Sequence, residues 1–445
     1  MSVSQSASGN GVGPRIEPVR VLTSRYSDER AWDIDRYLEL DGYASLEGAF
    51  AKAPEDLVQV VKDSGLRGRG GAGFPTGMKW GFLAKGTGRP TYLVVNGDES
   101  EPGTFKDMEL LEYDPHALVE GVIVSSYAIG CTNAYIYLRG ECGWAGRRLA
   151  GAIAQAYEHG YLGKDIKGSG FDLDITLHRG AGAYICGEET ALLSSLEGER
   201  GQPRLRPPFP AVEGLYKAPT TVNNVETIAT VPWIFRKGVD WFRSMGSEKS
   251  PGPKIFSVSG HVRNPGNFEF PMGVSARQLI MEAAGGMDEG SELKAWTPGG
   301  SSTPMLTADH LDTPMDFEGV QGAGSLLGTA AMIVMSDKQC IVRACLNFEH
   351  FYAHESCGKC TPCREGTDWL RKILGRLETG QGRMDDLKTM QDIADGIFGR
   401  SFCALGDGAT SPIVSGLKYF RDEFEQHVTG GGCPFPGARV AVGAH

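Results

Sequence analysis

Tyr92-Leu93-Val94-Val95-Asn96-Gly97-Asp98-Glu99-Ser100-Glu101-Pro102-Gly103 changes character within a few residues. A short apolar run gives way to a loop carrying three acids. That is the pattern of a buried strand delivering a polar segment at its carboxyl end. Working outward, the spacing predicts a helix over 116–128, a strand over 133–139 and a helix over 144–159. An alternating strand over 172–178 and a helix over 188–196 follow. Strands alternating with helices across 60–240 predict an α/β layer with a substantially parallel sheet. Ligands in such sheets bind at the carboxyl ends of the strands.

The texture changes at Ser250-Pro251-Gly252-Pro253. Two strand-like runs, 255–262 and 268–271, flank the turn Arg263-Asn264-Pro265-Gly266-Asn267, a hairpin signal. A helix over 275–284 and a last strand over 331–335 complete a small α+β unit. From residue 337 the pattern is helical, with apolar faces at Ile341/Cys345/Phe348/Tyr352, Leu370/Ile373/Leu377, Leu387/Met390/Ile397 and Ile413/Leu417/Phe420/Phe424. Four amphipathic helices with short connections predict an up-down bundle. The expected divisions are a flexible tail over 1–25, the α/β domain over 26–248, the small domain over 249–336, and the bundle with a C-terminal tail over 337–445.

The 445 residues carry a formal charge of −11, which argues against non-specific nucleic-acid binding. Ten cysteines point to a reducing compartment with ligand or buried thiols. Met1 to Pro14 lack both the apolar core of a signal peptide and the arginines of a transit peptide, and are expected to be flexible. The most apolar stretch, Leu118 to Gly130, contains Glu120 and two serines, so it reads as a buried helix rather than a membrane span.

Glu355-Ser356-Cys357-Gly358-Lys359-Cys360-Thr361-Pro362-Cys363 places three thiols at two-residue gaps, and Cys403 follows much later. Three close cysteines plus a distant fourth suit a [4Fe–4S] cluster. Structural zinc is the plain alternative. Zinc favours two pairs of ligands, whereas the positions at pair spacing from Cys403 are Arg400 and Gly406. In an up-down bundle the first and third connections share one end, which would bring Cys403 to the other three. Cys433, before Pro434, offers a competing fourth thiol.

Four polar segments remain. Arg67-Gly68-Arg69-Gly70-Gly71-Ala72-Gly73-Phe74-Pro75-Thr76-Gly77-Met78-Lys79 has glycines that let amides approach an anion and two cations, Arg69 and Lys79, that favour phosphate. A flexible turn is the bland reading. Arg179-Gly180-Ala181-Gly182-Ala183-Tyr184-Ile185-Cys186-Gly187-Glu188-Glu189-Thr190 joins a strand to a helix, where two acids also suit the helix dipole. Thr220 to Thr227 offers amides and hydroxyls or simply a helix cap. The acidic loop 96–103 suits ribose hydroxyls or stands as a solvated turn. Two nucleotides, a resident flavin and a transient nicotinamide, would use all four. Flavin converts a hydride into single electrons that a cluster can take.

The motifs Gly68–Gly77 with Lys79-Trp80, Gly182–Thr190 and Glu355–Gly366, in that order, resemble the flavoprotein, NADH-binding subunit of respiratory complex I. The resemblance covers residues 40 to 435. It implies a Rossmann-like FMN and NADH domain without the usual fingerprint, a ubiquitin-like (β-grasp) middle domain and a four-helix cluster domain. It implies NADH:quinone oxidoreductase activity with FMN, one [4Fe–4S] cluster and NAD(H) as substrate. Residues matching the family's FMN contacts are Gly68, Arg69, Gly70, Gly71, Lys79, Asn96, Asp98, Glu99, Tyr184, Gly187, Glu188, Val222, Asn223, Asn224 and Thr227. Those matching its NADH contacts are Phe74, Phe82, Glu101, Glu189, Arg206 and Phe209, with Arg206 standing where the family often has lysine. The cluster ligands map to Cys357, Cys360, Cys363 and Cys403. No side chain is implied as a catalytic acid or base. Implied partners are a small [2Fe–2S] subunit and a large multi-cluster subunit, in a complex peripheral to the inner face of the cell membrane on the cytoplasmic side. A diaphorase subunit of an NAD-linked hydrogenase or formate dehydrogenase shares this core. A non-enzymatic scaffold with structural zinc is the alternative of another class.

Overall fold

The computed structural model describes residues 15–435. Four parallel strands form the first sheet: β1 (Thr91–Gly97), β2 (Cys131–Leu138), β3 (Asp174–Arg179) and β4 (Thr220–Asn224), in the order β3-β2-β1-β4. The helices that matter to the site are α1 (Thr76–Gly81), α2 (Lys106–Tyr113), α3 (Pro115–Ile129), α4 (Gly143–Glu158), α5 (Glu189–Leu196) and α6 (Val225–Lys237). Side chains of β1 alternate between two cores. Leu93 and Val95 join a core with Val122, Leu149 and Ile228, while Val94 joins one with Leu192, Leu193 and Leu405. Both faces are therefore covered, as a parallel sheet requires.

Strand β4 is the element the sequence hid. Thr220-Thr221-Val222-Asn223-Asn224 reads as a polar loop, yet its first four residues are buried. One local and one distant partner make that possible. Thr220 Oγ1 donates to the Ala218 carbonyl (2.9 Å), and Asn223 Oδ1 accepts from Trp80 Nε1 (3.1 Å). The helix expected at 116–128 is present as α3 and buried. Glu120 within it accepts from Tyr37 Oη (2.5 Å) and the Tyr43 amide (2.9 Å). No helix among the described residues is long and apolar enough to cross a membrane.

The second sheet has five strands in the order β6-β5-β9-β7-β8: β5 (Pro253–Gly260), β6 (Gly266–Pro271), β7 (Leu293–Trp296), β8 (Leu306–Thr307) and β9 (Ala331–Ser336). The hairpin β5–β6 forms as expected, and β9 lies parallel to β5. The tail expected to be free through residue 25 is instead held from Ile16 onward. Glu269 on β6 accepts the amides of Val21 (2.9 Å), Leu22 (2.9 Å) and Thr23 (3.0 Å), and Val21 and Leu22 are buried. A carboxylate collecting three amides is a strong local anchor.

The C-terminal bundle comprises α7 (Ile341–Glu355), α8 (Thr361–Glu378), α9 (Met384–Ile397) and α10 (Ala404–Tyr419). The fourth expected helix breaks at Phe420, and Phe424 sits on a separate helix, α11 (Arg421–Thr429). The expected C-terminal tail beyond residue 435 lies outside the described residues.

A buried ion cluster ties the first unit to the second. Glu226, at the start of α6, meets Lys254 Nζ of β5 at 2.6 Å and Lys106 Nζ of α2 at 2.9 Å, and accepts the Ile255 amide at 2.9 Å. Burial pushes the Glu226 carboxyl up, but the two ammoniums more than reverse this and hold it at about 2. Its contribution to stability is therefore present above the ordinary carboxyl pKa and is lost only as the pH falls toward 2. Glu226→Ala leaves the buried Lys254 without a carboxylate and Lys106 with Asp107 alone (2.8 Å), and is expected to destabilise the chain by about 3–5 kcal/mol, measured by urea unfolding at pH 7.

Candidate functional site

From β1 the chain proceeds to β2 and β3 on one side, whereas β4 lies on the other. The crevice between the carboxyl ends of β1 and β4 is thus a topological switch point. The glycine-rich loop 68–74 is pinned over the end of β4, where the Arg69 amide donates to Thr227 Oγ1 (2.8 Å). A Cβ on Gly70 would meet Asn224 Cβ at 2.7 Å. Gly71 has φ +138°, a conformation for glycine, and nothing within 4 Å of where a Cβ would stand. The loop therefore turns bare backbone toward open space.

The charge expected there from Arg69 is elsewhere. Its guanidinium is fully buried, donates to the Pro251 carbonyl (2.8 Å), and is pushed down to about 10 by burial. Lys79 Nζ does remain at the crevice, paired with Glu189 at 2.7 Å. Arg206 pairs with Glu188 and, at 3.0 Å, with Glu189. Glu188 Oε2 also caps α5 by accepting the amides of Thr190 and Ala191, both at 2.9 Å. The cap reading of Glu188 is thus observed, and the pairing with Arg206 sits beside it.

The acidic loop after β1 divides its carboxylates by task. Glu99 accepts the amides of Asp107 and Met108 (both 2.8 Å) at the start of α2. Glu101 accepts from Tyr184 Oη (2.6 Å) and the Ser302 amide (2.8 Å). Asn96 bridges the Gly187 carbonyl and the Asp98 amide, at 2.9 and 3.0 Å. Asn224 donates to Asp107 Oδ2 (2.6 Å). Only Asp98 is left over. It is buried, neither oxygen has a partner, and burial lifts its carboxyl to about 7 despite nearby Arg139. Buried acceptors without donors are costly, so Asp98 suits a ligand with hydroxyl or imide hydrogens.

Three phenylalanines stand at the mouth. Phe74, Phe82 and Phe209 are 44%, 57% and 57% exposed, and the rings of Phe74 and Phe82 lie 6.1 Å apart. Aromatic rings that fill no core offer a flat surface to a base.

At the bundle, the first and third connections meet. Cys357, Cys360, Cys363 and Cys403 line one small cavity with Ile185, Pro203 and Leu405, and the Phe402 amide points at Cys360 Sγ (3.4 Å). Cys360 and Cys403 are the N-caps of α8 and α10, so two positive helix ends face the thiols. That suits an anionic cluster. Burial pushes Cys363 and Cys403 up to about 11, so ligation there would release protons. Among the described residues, the group whose ligand atoms all fall within 4.8 Å of one another is a different one. Cys433 is not with the four thiols; it belongs to that other group.

One segment touches both places. Gly187 lies against Asp98 in the crevice, and Ile185 lines the thiol cavity. Two residues of chain span at most about 7 Å. Glu355, just before the cysteines, accepts the Tyr184 amide (2.9 Å), and Gln202 Nε2 donates to the Cys357 carbonyl (2.9 Å). Nothing in the sequence signals these roles of Glu355 and Gln202. Their partners are 171 and 155 residues away, and no local pattern announces them.

Family models match the chain as the Nuo51 FMN-binding domain over 61–233, the SLBB domain over 255–306 and the NADH-ubiquinone oxidoreductase-F iron-sulfur binding region over 343–427. The F subunit of NADH-quinone oxidoreductase from Streptomyces coelicolor is 59% identical over 444 residues, covering 100% of this chain and 98% of that one. The Mycobacterium tuberculosis F subunit is 58% identical over 93% of this chain and 95% of its own. This chain belongs to the family of NADH-quinone oxidoreductase F subunits. A solved NAD+-reducing [NiFe]-hydrogenase chain is also similar, with TM-score 0.80 and 36% identity over 88% of this chain. This chain spans 65% of that one, less than two thirds of its length. As a member of the F-subunit family the chain is an oxidoreductase with an FMN-binding domain, an iron–sulfur region and NADH as substrate. The crevice and the four thiols fit those groups on the geometry above.

Glu349 on α7 is fully buried with neither oxygen partnered, and burial lifts its carboxyl well above the usual range. A raised folded pKa means that stability present below about 4.3 is lost as the pH rises. Glu349→Gln mimics the neutral acid. Its advantage over the wild type in urea unfolding is expected to grow from pH 4 to pH 7.

Proposed function

We propose that the crevice holds FMN through the amides of Gly70 and Gly71, with Gly68 closing the loop by donating its amide to the Phe74 carbonyl (2.9 Å), and through Lys79, Asn96, Asp98, Tyr184, Gly187, Glu188, Val222, Asn223, Asn224 and Thr227. Arg69 and Glu99 hold the loops around it, one by the Thr227 contact and the other by capping α2. Lys79 leaves Glu189 to meet phosphate. Asp98 accepts from flavin or ribityl hydrogens. NADH lies against Phe74, Phe82 and Phe209, with Arg206, Glu189 and Glu101 on its polar side. Cys357, Cys360, Cys363 and Cys403 hold the [4Fe–4S] cluster. FMN would supply the conversion of the electron pair of one hydride from NADH into single electrons. The chain's own work is to align the two nucleotides, keep water out and set the cluster close by.

The observation that carries this reading is the 184–187 segment, which borders both the crevice and the thiol cavity. The three proposed working units are 26–248, 249–336 and 337–445. Onward electrons go to a small [2Fe–2S] subunit and a large multi-cluster subunit toward quinone. The assembly sits peripherally on the cytoplasmic face of the cell membrane. Near-complete coverage of the Streptomyces protein, against 65% of the hydrogenase chain, favours this assembly over a hydrogenase diaphorase.

Anaerobic addition of NADH to the full chain is expected to bleach flavin absorption and then cluster absorption. A colourless protein without flavin would sink the proposal. Cys403→Ala is expected to lose the cluster's iron and its electron-spin signal while NADH still bleaches the flavin. An intact cluster would shift the fourth ligand elsewhere. Asp98→Asn is expected to weaken FMN binding by about 1.5–3 kcal/mol at pH 8. Wild-type affinity should decline as the pH falls through about 7, where Asp98 takes up its proton, and the variant should lack that step in a fluorescence titration.

A further inference from the structure

Cys340, Glu378, His427 and Cys433 converge at the far end of the bundle, with their ligand atoms all within 4.8 Å of one another. Cys340 begins α7, whereas the cluster cysteines follow its end. Fifteen helical residues separate the two places by about 22 Å. This group is therefore not part of the redox centre.

Its members come from four elements. Cys340 is the N-cap of α7, Glu378 the last residue of α8, and His427 lies on α11. Cys433 follows the glycine turn after α11. That turn packs so closely on the end of α8 that a Cβ on Gly380 would collide with the Gly431 carbonyl oxygen. Cys340 Sγ lies 3.3 Å from His427 Nε2, and Glu378 Oε2 lies 3.5 Å from the same nitrogen. A tetrahedron with metal bonds of about 2.0–2.3 Å has edges of about 3.3–3.8 Å. Cys340 and His427 are fully buried, and Glu378 Oε2 is buried without a hydrogen-bond partner.

Second partners orient the group. His427 Nδ1 bonds the Glu423 carbonyl oxygen at 2.6 Å, which fixes the proton there and leaves Nε2 free to ligate. The Arg343 amide donates to Cys340 Sγ (3.3 Å), and Arg343 Nε holds Glu378 Oε1 at 2.7 Å, turning Oε2 inward. Two thiolates, one carboxylate, Arg343 and a divalent cation sum to zero charge, which a buried site favours. A disulfide between Cys340 and Cys433 would use neither the histidine nor the inward oxygen.

We propose that Cys340, Glu378, His427 and Cys433 bind a structural zinc ion that clamps the C-terminal segment and α11 to the ends of α7 and α8. Four protein ligands leave no open position, so the site is closed and structural rather than catalytic. The softness of two thiolates with one imidazole selects zinc over magnesium or calcium.

The full-length chain, carrying its flavin and cluster and produced with zinc in the medium, is tested by elemental analysis and zinc K-edge X-ray absorption. The expected result is about one zinc per chain with two sulfur neighbours at about 2.3 Å and two nitrogen or oxygen neighbours at about 2.0–2.2 Å. Cys433→Ser, at a partly exposed position, should lose this zinc while iron and FMN stay unchanged. His427→Gln should do the same, and the wild-type absorption spectrum stands as evidence if that variant fails to fold. A chain without zinc, zinc lacking a sulfur shell, zinc retained in Cys433→Ser, or an intact mass showing a Cys340–Cys433 disulfide would each overturn the proposal.

Discussion

The carboxylate of Glu226 sits where three requirements meet. It lies in the first turn of α6 just after β4, beneath the crevice, and it pairs with Lys106 of the first unit, which Asp107 shares, and with Lys254 of the second. Burying four charges, with Asp107 on Lys106, is not a cheap route to stability, since apolar residues of the same volume often do as well. What the cluster provides is position. Two ammoniums can share one carboxylate only if β5 and α2 approach α6 at one register. The same approach aligns the Asn224–Thr227 turn under the glycine-rich loop, because Asn224 donates to Asp107, the neighbour of Lys106.

Around the crevice, acids outnumber cations, which would repel the phosphates of a nucleotide. The structure resolves this by occupying most acids internally. Glu99 caps α2, Glu101 ties the first unit to the Ser302 loop, and Glu188 caps α5. Lys79 and Arg206 stay near the opening, held by Glu189. Under the proposed function, ligand phosphate replaces that partner, and the cations are pre-positioned at little cost in side-chain entropy. The phenylalanines at the mouth remain uncovered, and Asp98 remains unsatisfied. Those two departures from ordinary burial mark the site more plainly than any motif.

Much of this was legible in the chain. The runs at 92–96 and 133–139 identified parallel strands because strands covered on both faces are continuously apolar. The cysteine spacing favoured a cluster over paired zinc ligands, and helical periodicity placed Cys403 at the same end as the other three. The polar strand β4 was not legible. Thr220 is satisfied by the nearby Ala218 carbonyl, but Asn223 is satisfied by Trp80, which only the folded chain brings near. Nor was the destination of Arg69: a cation in a glycine loop reads as a phosphate contact, yet its side chain turns into the junction with Pro251. The hold of Glu269 on residues 21–23 was equally invisible, spanning nearly 250 positions.

By itself the sequence determined the α/β, α+β and helical succession, the closely spaced thiols of the iron–sulfur region, and the family motifs, because periodicity and close ligand spacing are local properties. Tertiary structure alone decided which acids are free, where Arg69 points, how Tyr184 to Gly187 join crevice to thiols, and that Cys433 meets Cys340, Glu378 and His427. Each of these depends on pairs far apart in the chain, and such pairs are set by packing and charge compensation rather than by neighbouring residues.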